Sequence, residues 1–123
     1  MDDLKVILKD WPEPDIQKDI AIRIATHAQA RRKEFCIDPA TILILINCVI
    51  SVIRLLYVCK SDAGVEGSIR NPGVLDKYLL KRQIKKNFPK HEVDIIYKAM
   101  VDVCQTLSQR EINELLDTVK EKQ

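Results

Sequence analysis

Residues 38–60, DPATILILINCVISVIRLLYVCK, decide how this chain is read. The Asp38-Pro39 pair opens the run with a side chain that caps a helix and a proline suited to the first helical turn. From Pro39 to Cys59 only one charge, Arg54, interrupts the apolar sequence. The run therefore predicts a helix over about 39–60, roughly 30 Å long at about 1.5 Å per residue, close to the thickness of a bilayer core. Its polar members Asn47, Ser51 and Arg54 are spaced i, i+4, i+7 and share one face.

Two readings of this helix compete. In lipid, only the thirteen residues Thr41–Ile53 precede the charge, short of the roughly 20 that a span uses, and an arginine at that depth costs about 2.5–3.5 kcal/mol. In protein, a helix that is apolar nearly all round is a central one. A chain of 123 residues has few helices with which to cover such a rod. Part of the cover is then expected from other copies or a larger partner. On that reading Ile42, Leu45, Ile46, Val49, Ile53 and Leu56, together with Arg54, are the candidate interface residues.

The remaining sequence is helical in pattern. Apolar residues make up 46% and charged residues 31%, with only three Gly and five Pro; this is the composition of a folded chain with few turns. Residues 2–11 form a short amphipathic piece (Leu4, Ile7, Leu8, Trp11) that ends at Pro12 and Pro14. Beyond it, five helices with recognisable starts are expected. Asp15 opens the one whose stripe is Ile16, Ile20, Ile24, His27 and Ala28, and Asp38 opens the apolar one. Asn71-Pro72 opens a third, running to about Asn87. A fourth begins near Pro89 with Val93, Ile96, Tyr97, Met100, Cys104 and Leu107 at helical spacing. Ser108 and Glu111 form a capping box for the fifth, whose apolar face is Ile112, Leu115, Leu116 and Val119. The fold class is all-α, with an N-terminal part at 1–60 and a C-terminal three-helix unit at 72–123. SDAGVEGSIR (61–70), with its two glycines, makes up the hinge assigned to 61–71 between them, within one domain overall.

Charge is unevenly placed. Between Arg70 and Lys90 seven cations stand against Asp76 alone, a net of +6 in a chain whose total is +2. Lys77, Lys81 and Lys85 lie at i, i+4, i+8, with Arg82 and Lys86 beside them, and Leu80, Ile84 and Phe88 form the opposite apolar stripe. This basic patch is a candidate contact for an acidic protein surface or for nucleic acid, against the plain alternative of a solvated face. The last two helices do not read as a DNA-binding pair, because Glu111 and Glu114 would face phosphates at the leading end.

No catalytic pattern emerges. Cys36, Cys48, Cys59 and Cys104 have no C-x-x-C spacing, and Cys48 and Cys59 lie some 16 Å apart along one helix, too far to pair. They are expected as reduced thiols behaving as small hydrophobes. His91-Glu92 lacks a second histidine four residues on, and no phosphate-binding glycine motif or serine elbow is present. A non-enzyme with no cofactor and no metal is expected. The start MDDLKVILKDW has neither the basic residues nor the long apolar stretch of a secretory signal, so residence in the cytoplasm is expected.

The order IDPATILILINCVISVIRLLYVC at 37–59, then NPGVLDKYLLKRQIKK at 71–86, then a capped C-terminal helix, resembles that of small uncharacterised helical structural proteins of large tailed bacteriophages. The resemblance covers about two thirds of the chain and is one of feature order. It implies a minor virion component, in the capsid, neck, tail or baseplate. The expectation that follows is a structural or assembly subunit. Its alternatives are a small membrane-associated protein using the apolar helix, and a non-specific nucleic-acid-binding accessory.

Overall fold

The computed structural model describes residues 2–121; the outermost residues of the two terminal segments, 1, 122 and 123, lie outside it. Within that range the chain forms seven α-helices and no strand: α1 (Asp2–Leu8), α2 (Asp15–Arg31), α3 (Pro39–Cys59), α4 (Asp62–Arg70), α5 (Val74–Asn87), α6 (Val93–Thr106) and α7 (Gln109–Lys120). A 3-10 turn at Lys90–Glu92 leads into α6. The all-α class holds, but the count of five does not. The short N-terminal piece and the supposed hinge are both helical.

Several starts are built as their sequences require. The Asp38 carboxylate accepts the Thr41 backbone N–H at 2.8 Å, which holds it below the usual carboxylate range. Ser108 and Glu111 make their reciprocal pair at the head of α7, the Ser108 N–H donating to Glu111 at 2.9 Å and the Glu111 N–H to Ser108 at 3.1 Å. Ahead of α5 the Gly73 N–H donates to Asp76 at 3.0 Å, so that helix begins at Val74, two residues after the proline.

The segment 61–70 corrects the sequence reading most clearly. Ser61 caps it, Val65, Ser68 and Ile69 turn inward at helical spacing, and both glycines sit within the helix. Gly64 lies close against Lys60, where an added Cβ would come within 3.1 Å of the lysine Cβ. Arg70 at the far end donates to the Leu107 carbonyl at 2.8 Å, which fastens α4 to the end of α6. A segment anchored at both ends is no hinge.

Nor do residues 72–123 form a unit apart. α6 packs mainly on α2, α7 lies against α2 and α3, and α5 lies against α3 and α6, so the two sequence halves share one core. Polar links reinforce the exchange. Gln17 on α2 donates to Thr118 on α7 at 3.0 Å, and Arg31 on α2 meets Asp102 on α6 at 2.5 Å. Lys18, buried on α2, donates to the carbonyls of Leu8 and Trp11 at 2.8 and 3.1 Å, which satisfies the open end of α1.

The Arg23–Glu111 pair, at 2.5 Å, ties the middle of α2 to the first turn of α7. Arg23, aided by the Ser108 N–H, lowers the Glu111 pKa from 4.5 to about 2. A depressed carboxylate pKa contributes stability above its unfolded value and loses that contribution as pH falls towards the folded one. Glu111→Gln should therefore cost on the order of 1 kcal/mol at neutral pH, the scale of a half-exposed pair plus a cap. The deficit should shrink between about pH 5 and pH 2, as urea titrations of both proteins across that range would show.

Candidate interaction surfaces

The apolar run of α3 divides into an inner and an outer side. Ile42, Leu45, Ile46, Ile53 and Leu56 are buried in the protein's own core, and Val49 is half-buried. Of the candidate interface residues named from sequence, only Arg54 is exposed. The correction has a simple physical cause. α2 and α5 pack along α3, with α1, α4 and α7 against parts of it, and together they take up the faces these residues occupy.

The outer side is a different set of residues. Asn47, Arg54, Leu55 and Val58 are exposed and Leu43, Ile44 and Ser51 half-buried, all within one arc of the helix. Asn47, Ser51 and Arg54, placed together from spacing, do mark this outward face. Arg54 has no hydrogen bond or ion pair among the described residues, and Val58 is 80% exposed.

Two further groups extend the apolar exposure. At the start of α5, Val74 (91% exposed), Leu75 and Tyr78 project outward, and on α1 Val6 and Ile7 do the same. Among the described residues, all seven exposed large apolar side chains thus lie on α1, α3 and α5. α1 and α5 both pack against α3. Lys60 lies 3.7 Å from Asp76, and the Cys48 thiol donates to the Gln83 carbonyl at 3.7 Å, so α3 and α5 run antiparallel. That register sets Leu55 and Val58 across from the first turns of α5.

Sequence reading placed five cations on α5 correctly but could not see their different commitments. Lys81 pairs with Asp94 at 3.0 Å and lies over the Tyr97 ring, 5.2 Å from its centroid; Lys77 approaches the same ring at 5.7 Å. Lys81 also lowers the Asp94 pKa. Arg82, Lys85 and Lys86 are exposed and in no ion pair among the described residues. Between α5 and the head of α6 runs a groove lined by Tyr78, Lys81, Arg82, Lys85, Lys90, Val93 and Asp94.

A second, apolar cleft among α3, α4, α5 and α6 is lined by residues such as Val49, Leu56, Leu80, Met100 and Cys104. Its polar edge is internally matched: Lys60 donates to the Ser68 hydroxyl at 2.6 Å and faces Asp76, which also takes the Gly73 N–H. The cleft belongs to the core.

The cysteines and histidines are arranged as structural groups. Burial pushes the Cys48 thiol up to about 11 and the Cys104 thiol up to about 12, and Asp38 raises that of Cys36. None of the three is an activated nucleophile. His27, expected on the inner stripe of α2, is exposed, as is His91. Among the described residues no cluster of three His, Cys, Asp or Glu side chains is placed to hold a metal ion. At the head of α7, Glu111 is engaged by Arg23 and Ser108, a packing role.

No family model, curated protein or solved structure matches this chain.

The two sides of α3 should respond oppositely to truncation. Leu45→Ala empties a fully buried site and should cost about 2–5 kcal/mol. Leu55→Ala, on the outer side, should cost no more than about 0.5 kcal/mol. Chemical denaturation of the two variants beside the parent protein checks both values.

Proposed function

We propose that this protein is a non-enzymatic assembly subunit that docks through the outward surface of α1, α3 and α5 onto another protein. The observation that carries this reading is the confinement of every exposed large apolar side chain, among the described residues, to those three helices. Apolar exposure scattered singly is ordinary, whereas exposure gathered around one helix marks association. Arg54, Arg82, Lys85 and Lys86 stand beside the apolar residues and supply the polar rim that such surfaces carry.

The cations also bear on the partner. A two-fold pairing of identical surfaces would bring like charges together, which costs binding energy. A partner with an acidic rim around an apolar centre fits better than a second copy placed symmetrically. The resemblance in feature order to small phage proteins would make a minor virion subunit its setting.

The membrane alternative takes a different form from that expected. α3 is long and apolar enough to cross a bilayer, and 44% of its most apolar window is buried in the bundle, where that part belongs to the core. Crossing would require α3 to abandon α2 and α5. The helix therefore serves as a core helix with one open side.

Replacing Leu55 and Val58 with Asp removes the apolar centre without touching the core. The double variant should keep the parent's unfolding midpoint within about 0.5 kcal/mol. It should lose at least tenfold in affinity for the partner recovered with the wild-type protein from its native source, measured by sedimentation. Retention of full affinity, or equal loss with a control pair on α7 (Asn113→Asp and Gln109→Asp), would contradict the proposal.

A further inference from the structure

We infer that the groove between α5 and the head of α6 is a binding site for single-stranded nucleic acid. Tyr78 offers the base-stacking surface, and Arg82, Lys85 and Lys90 offer the phosphate contacts. The inference stands on the flank of α5 that faces α6; Tyr78, Arg82 and Lys85 also border the docking surface proposed around α3, whose centre at Leu55 and Val58 lies on another helix.

Three observations carry it. First, the groove is lined by four cations (Lys81, Arg82, Lys85 and Lys90) and one carboxylate, Asp94. That carboxylate is already neutralised by Lys81 at 3.0 Å, so the unspent charge is positive. Second, the cations on α5 recur every helical turn. Lys81 and Lys85 are four residues apart, a rise of about 6 Å, which is near the repeat of phosphates along a single strand. Third, Tyr78 is 61% exposed at the groove edge and next in line with Arg82, so an aromatic face stands beside the cationic row. Every base has a π-face, and stacking on such a ring combined with a cationic track is the general means by which single strands are held without sequence preference.

A duplex keeps its bases paired and stacked on one another, so it leaves Tyr78 without a stacking partner. Lys81, fixed by Asp94 and the Tyr97 ring, serves as the rigid wall of the site. Arg82, Lys85 and Lys90 are exposed and free to close on a backbone.

The test uses the full chain and a fluorescein-labelled dT12 oligonucleotide read by anisotropy, with a 12-base-pair duplex and vesicles containing 30% anionic lipid as comparison probes. Saturable binding of dT12 in 50 mM salt is expected, weakening about 20- to 50-fold by 200 mM, the loss that three to four phosphate contacts give. Tyr78→Ala should weaken dT12 binding about tenfold with the salt slope unchanged. Arg82→Glu with Lys85→Glu should abolish it and leave the unfolding midpoint in place.

The Leu55→Asp/Val58→Asp protein should bind dT12 as the parent does, so failure of the docking proposal and failure of this one are separately visible. The inference is overturned if dT12 does not bind in 50 mM salt. It is overturned equally if Tyr78→Ala binds as well as the parent, if the duplex binds as tightly as the single strand, or if only the vesicles respond to the charge reversal.

Discussion

The structure depends on one constraint: the inner side of α3 must be kept from water, and this chain's own helices cover it. Ile42, Leu45 and Ile53 are all but inaccessible, and residues from α2, α4, α5, α6 and α7 complete the same cluster. Each fully buried aliphatic side chain contributes about 1.5–3 kcal/mol relative to exposure, so this column outweighs any single polar contact in the molecule. The polar links follow from it. Once α2 and α7 lie where α3 requires, Arg23 reaches Glu111 and Gln17 reaches Thr118.

The same constraint shapes the surface. Helices that gather round α3 cover only part of its circumference, and the uncovered arc keeps Leu55 and Val58 in solvent beside Asn47 and Arg54. α5 is held by its own inward stripe, of which Ile84 is completely buried, and this leaves Val74, Leu75 and Tyr78 projecting from its first turns. One geometric fact, a central helix enclosed on its inner side and open along one arc, thus produces both the core and the surface from which the docking proposal is drawn. Groups with acid–base or thiol chemistry are either solvated, as His27 and His91 are, or buried and held protonated, as Cys48 and Cys104 are.

Much of the fold was legible because caps are local. Asp38-Pro39 and Ser108 with Glu111 need only three or four residues to declare a helix start, and both starts are built as read. α4 was hidden because two glycines in ten residues look like a flexible link, and its helix is decided by Arg70 reaching Leu107 and by burial of Val65, which are contacts distant in sequence. The candidate surface was half legible. A helix that is apolar on every side carries almost no periodicity, so nothing in its sequence says which aliphatic residues turn inward. Only the polar trio Asn47, Ser51 and Arg54 marked the outward arc. The commitment of Lys81 to Asp94 was likewise invisible, because it joins residues thirteen apart across the Pro89 turn.

Thiol accessibility tests the central claim most directly, since the four cysteines sample both environments. Cys36 and Cys59 are exposed, Cys48 lies on the inner part of α3, and Cys104 lies in α6. In detergent-free buffer at submicromolar concentration, a maleimide followed by intact mass should add two labels promptly, mapping to Cys36 and Cys59. Cys48 and Cys104 should react only as the chain unfolds. Labelling of Cys48 at the rate of Cys59 in the folded protein would show that α3 is not enclosed by its own chain, and would contradict the account.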